Sequence, residues 1–369
     1  MATTELLGAV PIYPRSMYVH ALRSSITDEM MAPARSRLAL LPFYVAVIAF
    51  ATIVIARHWV PWPIVPAISV AIGICFALLT FVAHEALHGG MTTNKRIQHV
   101  VGLIAFMPFL IAPKLWTAWH NTEHHGNTNL PADPDCYPTL EGYRTSATKR
   151  FSVDAFSLGV ERWRGGLSLI LGFTVQSVNQ LTSAPFLSRT QRRIAYAEAG
   201  LGLAVWATVA ILVGFVPFLF VYVLPLLVAN VCVMAFILTN HSLSPRLETN
   251  DPLASGLTVT TSRFVQWITL GFGFHVEHHL FPAMSSRGAP ALRALVRERW
   301  PERYQSMSLG AALIALHRTA RVYKTATTLV DPSTGAEFAT LLPGTEYTVA
   351  TPPVVAPTAA TLLPNSLAT

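Results

Sequence analysis

Three long windows of the chain carry no charged residue. No Asp, Glu, Lys or Arg occurs between Leu38 and Ala56, between His58 and His84, or between Ala199 and Pro245. Crossing the roughly 30 Å apolar core of a bilayer takes about 20 apolar residues as helix, so each window can span and the third can span twice. Buried helices of soluble proteins seldom sustain apolar runs beyond about 14 residues, which sets aside a large soluble fold. The pattern predicts an all-α integral membrane protein with four transmembrane helices, at about 38–56, 64–83, 199–216 and 217–239. Pro61, Pro63 and Pro66 mark the turn of a first helical hairpin, and Gly214 with Pro217 the turn of a second.

Between the hairpins lie weaker apolar segments. Residues 97–112, "IQHVVGLIAFMPFLIA", are too short to cross and are interrupted by Pro108, which predicts an interfacial or re-entrant helix. Trp116 and Trp119 follow it, at the depth of the lipid headgroups. Residues 167–185 hold Gln176, Asn179 and Gln180 within an apolar run and are expected at the membrane surface. The organisation read from this is a cytoplasmic N-terminal arm over 1–37, a membrane domain with a cytoplasmic cap over 38–324, and a disordered tail over 325–369 that includes "TPPVVAPTAA".

Charge then fixes an expected orientation. Of 26 Lys and Arg residues, only Arg57 falls in a loop inside a hairpin. The positive-inside bias therefore places both termini and the segment between the hairpins in the cytoplasm. The net charge of +7 follows from that bias, so no nucleic-acid partner is expected. No charged segment leads into an apolar stretch with a cleavage site at the start, so a removable signal peptide is not expected. Cys75 and Cys232 fall in spans and Cys136 in a cytoplasmic loop; without metal-type spacing and facing a reducing compartment, they receive neither disulfide nor ligand roles.

The chemistry sits in the histidines. "HEALH" places His84 and His88 four residues apart, on one helical face at the cytoplasmic end of the second span. "HNTEHH" carries His120, His124 and His125, with helical spacing for the first pair, and "HVEHH" carries His275, His278 and His279. These clusters hold eight of the 13 histidines, and the topology brings them to one side of the membrane. His241 stands alone in "TNHSLS", where the fourth span ends. His20, His58, His99 and His317 read as ordinary interfacial residues. Neutral imidazole is a good ligand for iron, zinc, copper or nickel, and nine exceed what one tetrahedral zinc uses, which suits two metals of higher coordination number. Metal-bound histidines need their second ring nitrogen hydrogen-bonded. Glu85, Glu123 and Glu277, one beside each cluster, are candidates for that support, and Asn240 is a candidate beside His241.

These residues resemble the membrane-bound fatty acyl desaturases and their relatives, the alkane hydroxylases and carotenoid oxygenases. The family's signature is three histidine boxes, here "HEALH", "HNTEHH" and "HVEHH", and the flanks "HHGNTN" and "EHHLFP" are desaturase-like. The resemblance runs over about 40–305. It implies that the boxes hold two irons and that a further histidine between the second and third boxes, matched by His241, completes the ligand set. Glu85 stands where the family usually has Asp. His275 replaces the Gln of front-end desaturases, and no fused cytochrome b5 motif occurs. The electron donor is therefore expected to be a separate protein of ferredoxin, rubredoxin or cytochrome b5 type.

A physical argument leads to the same chemistry. Unactivated alkyl C–H bonds have no acidic proton, so acid–base side chains cannot open them, whereas a metal that reduces O₂ can. No Ser–His–Asp pattern, nucleotide loop or catalytic cysteine competes, and no separate side-chain base is expected. The reading is O₂-dependent desaturation of a fatty acyl chain linked to lipid, coenzyme A or acyl carrier protein, with the apolar helices as tunnel walls and the re-entrant segment as a lid. A di-iron hydroxylase or acetylenase would use the same residues. A membrane metal transporter is the rival from another class, but transporters place ligands near the midplane in broken helices. The basic residues Lys149, Arg150, Arg162, Arg164, Arg189, Arg192 and Arg193 have two readings, carrier recognition or attraction to anionic lipid, and the second is adopted. Acyl chain length and double-bond position leave no mark in the sequence.

Overall fold

Four helical stretches are long and apolar enough to cross a bilayer: Asp28–Ala56, Trp62–His88, Arg189–Val213 and Phe215–His241, in a computed structural model that describes residues 5–7 and 10–344. The two stretches of 27 residues each rise about 40 Å, more than a hydrocarbon core requires. The main helices are α1 (Arg15–Leu22), α2 (Leu40–Ala56), α3 (Val65–His88), α4 (Lys95–Ala105), α5 (Gly166–Ser183), α6 (Arg189–Val213), α7 (Leu224–His241), α8 (His275–Leu280), α9 (Ala289–Arg299) and α10 (Leu309–Arg318). The apolar window of Trp62–His88 is 61% buried against 11% for Asp28–Ala56 and Arg189–Val213, so α3 is the hub. It packs against α2, α4 and α7, and α7 carries α5 and α10 on its other sides.

Local chemistry explains these contacts. Gly73 of α3 faces α7 so closely that a Cβ there would lie 2.7 Å from the Pro225 carbonyl oxygen, and only glycine permits that approach. A π-helical stretch, Leu219–Val223, precedes Pro225, which cannot donate to a helical ladder. Ser69 of α3 donates to the Phe220 carbonyl at 2.6 Å, satisfying a group in this widened turn. Asn230 of α7 donates to Thr174 Oγ1 at 2.9 Å and accepts from the Thr174 N–H at 3.1 Å. That polar clasp seats α5, the 166–183 helix, on the fourth apolar helix. At the end of α3, Gly89 adopts φ 96° and stops the helix immediately after the first box.

Two segments differ from their expected form, and the N-terminal arm has a defined structure. The third apolar helix begins at Arg189, ten residues before the expected position, because Ser188 and Gln191 form a reciprocal capping box. The expected N-terminal arm is structured: β1 (Glu5–Leu7) pairs with β2 (Val10–Ile12), and Tyr18 and Leu22 of α1 pack against Val276, Leu280, Leu292 and Val296. Buried Asp251 locks it there, accepting from the Tyr13 N–H at 2.9 Å and from Arg303 at 2.7 Å. The expected disordered tail also begins too early. After a parallel pair of β3 (Thr258–Thr260) with β4 (Ser306–Ser308), an antiparallel sheet forms from β5 (Val322–Tyr323), β6 (Thr328–Val330) and β7 (Glu337–Ala339). Alternating apolar residues and the turn over 331–335, closed by Gly335 at φ 77°, build this sheet. "TPPVVAPTAA" lies outside the described residues.

Candidate metal centre

The first box is the last turn of α3, so His84 and His88 emerge on one face of a rigid helix. The second box departs from the expected α-helical spacing. Residues Thr117–His124 form a π-helix, whose wider turn brings positions four and five apart to flank one face. His120 meets His125, with Nε2 atoms 3.3 Å apart, and also stacks on His124 at 5.1 Å. The third box forms the short helix α8.

The structure brings all nine candidate histidines together in two groups. In one, nitrogens of His84, His88, His120 and His278 lie within 4.8 Å of one another, and His125 joins through Nε2, 3.0 Å from Nε2 of His278. In the other, His124, His241, His275 and His279 converge within the same limit. His241, the one candidate outside the three boxes, lies in this second group: its Nε2 is 2.5 Å from that of His275 and 3.1 Å from that of His279. The groups abut, since His125 and His279 stack at 4.2 Å.

The outer ring nitrogens define the chemistry of the inner ones. Nδ1 of His124 donates to Asp133 at 3.0 Å, Nδ1 of His241 to the Ser255 carbonyl at 2.7 Å, and Nδ1 of His279 to Thr128 Oγ1 at 3.2 Å. Nδ1 of His275 lies 3.0 Å from the Asn240 amide, whose Oδ1 has no other partner and accepts the ring proton once the amide is turned toward it. Rings protonated at Nδ1 present lone pairs at Nε2, and lone pairs this close repel unless a cation sits among them. In the five-histidine group, Nε2 of His88 is buried with no hydrogen-bond partner. An all-imidazole donor set of this kind fits iron, as it would other transition metals.

Electrostatics keep most of these rings neutral. Burial, and then neighbouring imidazoles, push His120, His125, His275, His278 and His279 well below the usual histidine range. His124 goes the other way: burial is the largest influence and opposes its charge, but the hydrogen-bonded Asp133 carboxylate and nearby Asp135 together outweigh it and raise it to about 9. Burial lifts Asp135, which accepts from Trp119 and Gln176, to about 6.

The glutamates read from sequence as ring supports have other partners. Glu85 accepts from Arg37 at 2.6 Å, Ser285 at 2.6 Å and the Ser286 N–H at 3.2 Å, tying the first box to the segments before α2 and after α8. Glu277 accepts from Tyr304 at 2.5 Å and Thr258 at 2.7 Å. Glu123 is half-buried, and its side chain makes no hydrogen bond to a box histidine among the described residues. Sequence reading missed Asp133 and Thr128; the acidic "DPD" at 133–135 was the available signal for the first. A cleft reaches the five-histidine group. Phe81, Phe272, Phe274, Phe281 and Met284 line it, whereas the 97–112 segment expected as a lid does not.

Four apolar helices carrying this cluster define a helical membrane protein with a histidine-built candidate metal centre. Comparison with known proteins adds the family. The model of the fatty acid desaturase family matches residues 57–311, and the chain belongs to that family. It is 20% identical over 256 residues to the chloroplastic omega-6 fatty acid desaturase of Arabidopsis thaliana, covering 65% of this chain and 55% of that protein. It is 24% identical over 241 residues to the sn-1 oleoyl-lipid 12-desaturase of Arthrospira platensis, covering 61% and 66%. A third relative, Delta(8)-fatty-acid desaturase 2 of Arabidopsis thaliana, is 23% identical over 286 residues, covering 69% and 62%. The chain thus spans little more than half the length of the chloroplastic relative.

Proposed function

We propose that this chain is an O₂-dependent fatty acyl desaturase, with a di-iron centre held by His84, His88, His120, His125 and His278 on one side and His124, His241, His275 and His279 on the other. The observation that carries the reading is the convergence of nine imidazoles into two abutting groups at the end of an apolar cleft. Iron bound there supplies reduction of O₂ coupled to removal of two hydrogens from adjacent unactivated carbons. The balance is one O₂, two electrons and two protons consumed, with one alkene and two waters formed. A separate donor of ferredoxin, rubredoxin or cytochrome b5 type provides the electrons.

The protein's own part is to hold and exclude. Phe272 packs its ring 4.9 Å from His84 and 4.8 Å from Phe81, making an apolar wall that seats methylenes beside the imidazoles and keeps bulk water out. The Arg37–Glu85–Ser285 clasp ties together three chain segments at that cleft. The relatives carry different positional names, omega-6, 12 and Delta(8), so the position acted on here is left to measurement. The distribution of basic residues supports two hairpins, with both termini and the histidines at the cytoplasmic face.

The test is expression in a host followed by mass spectrometry of total acyl chains, with double bonds located by derivatisation. New double bonds that depend on His278 and His124 are the expected result. Hydroxylated chains without new double bonds would replace desaturation by hydroxylation, and unchanged lipids beside an iron-loaded protein would remove the acyl reading.

A further inference from the structure

The two histidine groups are supported unequally on their outer sides. In the four-histidine group every Nδ1 meets a protein group: Asp133 for His124, Ser255 for His241, Asn240 for His275 and Thr128 for His279. These supports interlock, because Thr128 Oγ1 also donates to the His124 carbonyl at 2.8 Å, and Asp133 accepts from the Asn129 N–H at 2.8 Å. In the five-histidine group, Nδ1 of His125 is buried with no partner. No hydrogen bond joins Nδ1 of His84, His88, His120 or His278 to a protein group among the described residues.

From this asymmetry we infer that Thr128, Asp133 and Asn240 are positioning residues for one metal only, the one held by His124, His241, His275 and His279. The inference rests on the two-metal reading above and adds to it which residues govern which metal. An imidazole whose Nδ1–H is held cannot flip about its ring bond or shift its proton to Nε2, so its lone pair stays aimed inward. The partner's loss releases both freedoms, and such partners typically contribute about 10–100-fold in metal affinity. The five-histidine group depends instead on the number of its ligands and on the walls around it. Trp116 stacked on His120 at 4.5 Å is one such wall.

The experiment uses the full chain purified in detergent, with ⁵⁷Fe Mössbauer spectra resolving the two iron environments and elemental analysis giving iron per chain during dialysis against graded chelator. Thr128→Val is the main variant, because it keeps the side chain's shape and removes only the hydroxyl. Thr128→Ser restores the hydroxyl, Asp133→Asn is the second variant, and His88→Ala marks the opposite group. The expected result is that Thr128→Val and Asp133→Asn weaken one environment about 10–100-fold and leave the other at its wild-type affinity. Thr128→Ser should recover the wild-type pattern, and His88→Ala should deplete the complementary environment. Parallel loss of both environments, or loss of neither, in a monodisperse Thr128→Val or Asp133→Asn protein would overturn the inference. A wild-type chain with a single iron environment would instead overturn the two-metal reading, and this inference with it.

Discussion

His241→Ala separates a ligand from an interfacial histidine. His241 closes α7, with Nε2 facing two other imidazoles and Nδ1 bound to the Ser255 carbonyl at 2.7 Å. Alanine preserves the helix and removes both interactions. Structural zinc at a four-ligand site is worth about 10–16 kcal/mol and iron(II) binds more weakly, so one ligand in four corresponds to about 3–4 kcal/mol at most. At 1.4 kcal/mol per tenfold, that is a loss of two to three orders of magnitude in affinity, somewhat less where water fills the vacated position. The Ser255 carbonyl also loses its donor, at about 1–3 kcal/mol of stability, which leaves an otherwise well-packed helix folded. Iron per chain, thermal midpoint and product double bonds should be measured on one purified sample. The expected outcome is one iron lost of two, a modest fall in midpoint and near-complete loss of desaturation. A variant that keeps both irons and most of its activity would refute the assignment.

Three further outcomes follow from other parts of the molecule. Changing His278 or His124 to Ala should abolish turnover, one from each group; full activity in either purified variant would remove that residue from the site. Cysteines introduced near residues 60 and 215 should react with an impermeant reagent from outside intact cells, and cysteines near 150 and 300 should not. Labelling at 150 from outside would place the second box across the membrane from the termini. Asp251→Ala should destabilise the fold by about 3–5 kcal/mol, because it leaves the Arg303 guanidinium, 2.7 Å away and 12% exposed, without its carboxylate. A thermal midpoint unchanged from wild type would show that the N-terminal strands and α1 are not fastened through this pair.

The spans and the nine histidines were legible because each is written in contiguous residues. Charge-free windows mark the helices, and imidazoles at short spacing mark the boxes. The ring supports were not legible in the same way. Asp133 reaches His124 across nine residues of loop, and Thr128 reaches His279 across 151 positions of sequence. Neighbouring glutamates drew the sequence reading instead, yet a helix turns successive side chains about 100° apart, so Glu85 and Glu277 point away from the rings beside them. The C-terminal strands were hidden for another reason. Thr, Ala and Pro dominate the segment, and that composition outweighed a readable turn at 331–335 between alternating apolar positions.

The same angular argument explains why the second and third boxes each end in two adjacent histidines. Consecutive residues on a helix diverge, so a His–His pair cannot serve one metal from one face, but it can serve two from two. His124 and His279 enter the four-histidine group, and their neighbours His125 and His278 the other. In the third box, the four-residue spacing brings His275 to the same side as His279, leaving His278 between them to turn toward α3. The second box needs more. The π-helical stretch Thr117–His124 lets His120 stack on His124 at 5.1 Å while its Nε2 still reaches that of His125, 3.3 Å away. His120 thereby stands between the two groups, and His124 turns its Nδ1 to Asp133 at 3.0 Å. This backbone irregularity shapes how the box's three rings are shared between the two groups, and no spacing rule based on 3.6 residues per turn reveals it.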